Sequence, residues 1–217
     1  MTSAFINWSG GKDCTFALHQ LLEENKYKPE FLFTTCSREF NRVSMHGVRK
    51  ELITRQGFSL GIHSRKLYVP QDHTIETYNK HMYHEMLLMK QRGIEHAVFG
   101  DIFLEDLKKY REERLSEVGL KGVFPLWKKD TKELLKNFIA LGYKTIIICI
   151  NANRLNRSFL GRTIDEQFLT DLPTDVDCCG ENGEFHTFVY DGPIFKTPIP
   201  IVTGESDRKS TRLNSSH

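Results

Sequence analysis

Between Phe5 and Leu22 the chain reads FINWSGGKDCTFALHQLL. A short apolar run enters Ser9-Gly10-Gly11-Lys12-Asp13, and an apolar helical pattern leaves it. SAFINWS predicts a first strand. Asp13 to Glu24 predicts a helix, with Cys14, Ala17, Leu18, Leu21 and Leu22 near one face. A helix N-terminus carries unpaired N–H groups and partial positive charge, so it attracts phosphate. Glycines allow unusual dihedrals there and let an anion approach the backbone. Ser9 adds a hydroxyl and Lys12, expected to face solvent, adds a mobile positive charge. Asp13 stands where an N-cap or first-turn carboxylate is favoured, and it could also hold a metal ion on the phosphates. The spacing matches neither the G-x-x-x-x-G-K-[ST] loop nor G-x-G-x-x-G. The bland reading is a glycine-rich turn with no ligand.

The pattern that follows alternates. PEFLFTTC predicts a second strand, His46 to Arg55 a helix, GIHSRKLYVP a weaker third strand and Ile75 to Arg92 a long helix. IEHAVFGDI predicts a fourth strand and Glu105 to Val118 a charged helix. Such alternation implies a Rossmann-like, doubly wound parallel sheet with helices on both faces. After about Lys121 the rhythm loosens. GVFPLW reads as a short strand or turn, Thr131 to Leu141 and Thr163 to Leu172 as helices. YKTIIICI reads as a buried strand containing Cys149, and GEFHTFVYDGPIF as strand with a turn at Asp191-Gly192-Pro193. The expected organisation is a nucleotide-binding domain over 1–120 and a smaller mixed α+β part over 121–206.

Residues 207–217, DRKSTRLNSSH, look like a sequencing adapter translated in frame and are expected to be non-native. They hold three basic residues and one acidic one, so the formal charge of +2 belongs to this tail. A neutral body argues against a general nucleic-acid surface. The five cysteines include no C-x-x-C pair, which argues against a disulfide framework or zinc knuckle. Nothing reaches the roughly 18 unbroken apolar residues of a membrane helix, and the first residues lack a signal peptide's basic and apolar blocks. A cytoplasmic protein is expected. Met82, Met86 and Met89 fall at packing spacing, and His81 and His84 lack a partner that would make a metal site.

SGGKDC, directly after a strand, resembles the S-G-G-x-D-S signature of the PP-loop ATP pyrophosphatases. From Asp177 the chain reads DCCGENGEFHTFVYDGPIF, which alone is an acidic, glycine-rich loop able to bind a metal ion, steer an amine or supply a base. With SGGKDC it resembles the diphthine–ammonia ligase family and its G-E-x-G-E-F-E-T-F stretch. His186 stands where that family usually has glutamate. SMHGVR, from Ser44 to Arg49, FPLW, from Phe124 to Trp127, and SFLGRTIDEQFL, from Ser158 to Leu169, resemble further family segments. The resemblance runs from about Ala4 to Ile201.

The resemblance implies a HUP-type fold, ATP and Mg²⁺ as cofactors, and cleavage of ATP to AMP and pyrophosphate. It implies that Ser9, Gly10, Gly11, Lys12 and Asp13 hold the phosphates, with Asp13 the metal ligand. Adenine is then expected near Thr35, Cys36, Gly100 and Asp101, at the carboxyl edge of the sheet, with His46 on the same side. A substrate carboxylate would attack the α phosphorus, with Lys12 offsetting charge on the leaving group. Ammonia would then displace AMP, with Glu181 and Glu184 receiving the ammonium. Trp127, Gly161, Arg162, Gly180, Asn182 and Gly183 are the expected substrate residues. The bland alternatives are an ordinary helix start for His46, a core position for Trp127 and a surface residue for Arg162, although a guanidinium suits a carboxylate or phosphate. In the family the substrate is diphthine, a modified histidine on elongation factor 2. Two rival readings are a tRNA-modifying PP-loop enzyme and a nucleotide sensor that catalyses nothing. For the first, the adjacent Cys178 and Cys179 offer neither paired catalytic thiols nor a cluster ligand set.

Overall fold

The computed structural model describes residues 1–44, 46–69, 74–202 and 204. Met45, in the SMHGVR segment, lies outside them, as do Pro70 at the end of the expected third strand, residues 71–73, 203 and the 205–217 tail. Five strands form a parallel sheet: β1 (Thr2–Asn7), β2 (Tyr27–Ser37), β4 (His63–Val69), β5 (His96–Val98) and β6 (Lys121–Val123). Their order is β4-β2-β1-β5-β6, and a short antiparallel β3 (Arg42–Val43) pairs with the end of β2. The chain winds outward from β1 through β2 to β4, then returns to β5 on the other side. The order therefore reverses between β1 and β5, where open α/β sheets bind ligands. β6 lies beyond residue 120 and still belongs to this sheet.

Alternation along the strands separates two cores. Ala4 and Ile6 of β1 face the first, with α1 (Lys12–Glu24) and α2 (Lys50–Leu60). Phe5, Phe33 and Ala97 face the second, which holds Met86 and Met89 of α3 (Ile75–Gln91) and Leu115 of α4 (Glu105–Ser116). This is the period-two alternation of strand side chains, buried on both faces as in doubly wound sheets.

The rest of the chain packs on the first core. It comprises α5 (Thr131–Ala140), β7 (Lys144–Ile150), a 3-10 turn (Arg157–Phe159), α6 (Glu166–Asp171) and β8 (Phe185–Asp191). β7 and β8 form an antiparallel pair. Phe16 of α1 meets Phe138, which stacks on Tyr143, and His19 accepts from or donates to the Tyr143 hydroxyl at 2.7 Å. Helix α1 thus lies between the parallel sheet and the second part, and it is buried on most of its surface.

Three expected elements differ. The second helix starts at Lys50 rather than His46, because Val43 donates to Val48 and Gly47 (φ +75°) to Val43. Those bonds bring Val48 and Gly47 back against Val43. The last helix starts at Glu166 rather than Thr163. Thr163 bridges Ile146 of β7, and Asp165 caps the helix by accepting from Phe168 N at 2.7 Å. Cys149 is half-buried rather than fully enclosed.

Candidate active site

The turn from β1 to α1 meets the C-terminal part directly. Gly10 has φ +83°, a left-handed conformation that suits glycine. Its carbonyl accepts from Val189 N and from Gln56 Nε2, each at 3.0 Å. Gly11 caps α1 without a side-chain bond, and the Lys12 amide donates to Thr187 Oγ1 at 3.0 Å. Ser9 Oγ lies 3.4 Å from Gly11 N and 3.5 Å from Cys14 Sγ. A Cβ on Gly10 would sit 2.7 Å from Gln56 Oε1, and one on Gly11 would sit 3.1 Å from Thr187 Oγ1. Gly10 is thus required by the protein's own packing and its backbone conformation, and at Gly11 a side chain would crowd Thr187. Gly100, after β5, presses on the first turn of α1: a Cβ there would lie 2.7 Å from the Asp13 carbonyl carbon.

Lys12 does not face solvent as expected. Its side chain is only 3% exposed, because β8 and the 177–184 loop close over the start of α1. The ammonium donates to both oxygens of Asp13, at 2.7 and 2.9 Å, and to the Cys179 carbonyl. It also lies 5.5 Å from the centre of the Phe185 ring. Burial works against its charge, but Asp13, Cys179 and Glu181 together outweigh that, and the amine is held above its usual range.

The 177–184 loop supplies the other half of the site. Asp177 Oδ1 accepts from the amides of Cys179 and Glu181, at 3.0 and 3.1 Å. Gly180 and Gly183 take φ +69° and +81°. Glu184 is 1% exposed and turns back into the loop, accepting from Asp177 N at 3.2 Å and Asn182 N at 3.0 Å. Asn182 Nδ2 donates to the same carboxylate at 3.1 Å. Glu184 therefore shapes the loop, and its oxygens are already engaged. Glu181 instead reaches across to the segment between β5 and α4, accepting from Ile102 N at 2.9 Å. Burial pushes its carboxyl up to about 7; the Ile102 bond and Lys12 oppose this, while Asp13 and Asp101 reinforce it. Asp101 is itself pushed upward, chiefly by burial, against the pull of Arg111, whose Nε lies 2.7 Å from Oδ2.

The sequence-derived residues divide accordingly. Ser9, Gly10, Gly11, Lys12, Asp13, Gly100, Asp101, Gly180 and Glu181 come together around the start of α1. Thr35 and Cys36 lie within the sheet, where Thr35 O accepts from Ser44 N at 2.9 Å and Cys36 is fully buried. His46 stands against His186, with ring centres 4.4 Å apart. Trp127 packs on Phe124, and the Lys108 ammonium lies over both rings. Gly161 (φ +80°) turns the chain into Arg162. The Arg162 guanidinium pairs with Asp171 at 2.6 Å and lies over Phe159 and Phe168, so its charge serves α6. Sequence reasoning passed over Thr187, Asp177, Arg111 and Gln56. Thr187 sits inside the quoted 180–188 motif and Asp177 at its head. Nothing in the local sequence marks Gln56.

Among the described residues no helix is long and apolar enough to cross a membrane, and no group of three His, Cys, Asp or Glu side chains is placed to hold a metal ion. A glycine–lysine turn at the reversal point of a mainly parallel sheet, with helices between the strands, defines a doubly wound α/β protein. Sequence models of the diphthamide synthase N-terminal and C-terminal domains match residues 1–122 and 130–213. The chain belongs to the diphthamide synthase family. It is 31% identical to the diphthine–ammonia ligase of Rattus norvegicus over 131 residues, 58% of this chain and 49% of that protein. It is 33% identical to that of Schizosaccharomyces pombe over 107 residues, 46% of this chain and 18% of that one. With the Homo sapiens protein it shares 26% over 222 residues, 91% and 82% of the two chains. The chain thus spans about half or less of the first two of these relatives. Among solved structures it is similar to the U34-tRNA thiolase NcsA from Methanococcus maripaludis with its [4Fe-4S] cluster. The TM-score is 0.39 at 15% identity, over 65% of this chain and 57% of that one.

Proposed function

We propose that this protein is an ATP-dependent, AMP-forming carboxylate–ammonia ligase whose substrate is diphthine on elongation factor 2 or a related carboxylate. One observation carries the reading. The two motifs that matter chemically, 167 residues apart, meet at Lys12, which donates to the Cys179 carbonyl at the head of the acidic loop. Residues 1–120, with β6 completing their sheet, serve as the ATP-binding part and the rest of 121–206 as the substrate part, working in the cytoplasm. Phosphates bind at the start of α1, where Ser9, Gly11 and the first-turn amides face the helix's positive end. Lys12 exchanges one of its present acceptors for a phosphate oxygen and offsets the charge that builds on departing pyrophosphate. Asp13, about a third of its side chain exposed, suits a Mg²⁺ ion held mainly by the nucleotide's own oxygens. The metal would supply further charge neutralisation there.

Proton handling falls to Glu181. A carboxyl that titrates near 7 is ionised in an appreciable fraction at neutral pH and is basic enough to accept a proton from ammonium. Ammonia then attacks the activated carbonyl, giving an amide and AMP. Glu184, Asp177 and the two glycines hold Glu181 in place through the loop backbone. The deciding experiment incubates the protein with ATP, Mg²⁺, ammonium and candidate carboxylates. Pyrophosphate and AMP should appear together and depend on the carboxylate. Phosphate and ADP instead would refute the assignment.

A further inference from the structure

Gln56 is a polar side chain with no solvent exposure, on the face of α2 that meets the β1–α1 turn. Its bonding is fixed without ambiguity. Trp8 Nε1 can only donate, and it lies 2.8 Å from Gln56 Oε1. The amide nitrogen must then face the other two partners, both carbonyls: Gly10 O at 3.0 Å and Val189 O at 2.7 Å. One buried amide thus ties together the end of β1, the glycine turn and β8. The Gly10 carbonyl receives a second bond from Val189 N. Gly10 can approach this closely only because it lacks a Cβ, which would fall 2.7 Å from Gln56 Oε1.

We infer that Gln56 is a positioning residue that locks the glycine turn and β8 into one unit and so sets the geometry in which the turn receives phosphate. It touches no phosphate itself. It acts by fixing the Gly10 carbonyl, and with it the direction of the amides that follow, while β8 brings Thr187 to the Lys12 amide. Loss of both donated bonds frees the turn to relax toward conformations that no longer present those amides together. Binding at pre-organised donors is sensitive to such displacements.

The inference rests on the proposed ATP site, and its test separates the two. Gln56→Met keeps volume and removes the donors. Met89→Ala, in the core on the opposite face of the sheet, serves as a control for general destabilisation. Binding of ATP with Mg²⁺ is measured by calorimetry, and amide hydrogen exchange is followed over residues 9–14 and 187–189. Gln56→Met should weaken ATP binding about tenfold and raise exchange in both segments together, with Met89→Ala changing neither selectively. Equal effects of the two variants, or unchanged ATP affinity in Gln56→Met, would overturn the inference. If the wild type binds no ATP, the proposed function falls. Coupled exchange of the two segments then still decides whether Gln56 joins them.

Discussion

Replacing Glu181 with glutamine should change how stability depends on pH, and the size follows from the structure. In the folded protein the carboxyl titrates near 7, against an ordinary 4.5. Between those values the folded state keeps a proton that the unfolded chain has released. The unfolded state therefore binds fewer protons, and stability must fall as pH rises through this window. From pH 5 to pH 8 this site alone lowers the folding free energy by about 2.5 kcal/mol if the full shift is taken. Glu181 is half-buried, and solvent screening reduces the figure to about 1 kcal/mol. Glutamine preserves the acceptor for Ile102 N and removes the titration. Urea unfolding of both proteins at pH 5, 6, 7 and 8 measures the difference. Glu181→Gln should gain about 1 kcal/mol on the wild type across the series, with most of the gain between pH 5 and 7. A difference that stays flat, or that runs the other way, would show that Glu181 is not held in its protonated form by the site.

Lys12→Ala should lower stability by about 2 kcal/mol in urea unfolding, because the Cys179 carbonyl and the Asp13 carboxylate lose a buried partner; a change under roughly 0.5 kcal/mol would contradict the burial of the ammonium. Its pyrophosphate release should disappear as well, so activity and stability must be measured on the same preparation. Thr187→Val removes the acceptor for the Lys12 amide and should cost about 1–2 kcal/mol, while Thr187→Ser retains most of the stability. Glu184→Gln sets an amide NH₂ against donors already present at Asp177 and Asn182. It should reduce adenylation and amide formation in parallel, in assays of each half-reaction. Selective loss of amide formation would return Glu184 to direct handling of ammonia. Arg162→Gln, at a half-exposed ion pair with Asp171, should cost less than about 1 kcal/mol.

The first half of this molecule could be read from its residues because its signals are local. A period-two apolar run, a glycine pair and a 3.6-residue apolar pattern name strand, turn and helix within about 20 positions. That is why the start of α1 and the alternation toward a parallel sheet were legible. Where helices begin was less legible. His46 to Arg49 carries no helix breaker strong enough to announce the turn that Val43 and Val48 close, and Thr163 is drawn from α6 by pairing with β7. Both are tertiary pairings that override local preference.

The sequence by itself determined the chemistry available: a phosphate-attracting turn, a lysine, and a glycine-rich loop carrying Glu181 and Glu184. Only the tertiary structure decided how they divide the work. Packing of α1 between two layers buried Lys12, which in isolation looks like a solvated loop lysine. The turn back at Gly183 spent Glu184 on its own loop, while burial of Glu181, against the bond from Ile102, raised its proton affinity. Gln56 acquired its place solely because α2 crosses beside both β1 and β8. A residue's type fixes which bonds it can make; its burial and its partners, contributed by segments distant in the chain, fix which ones it makes.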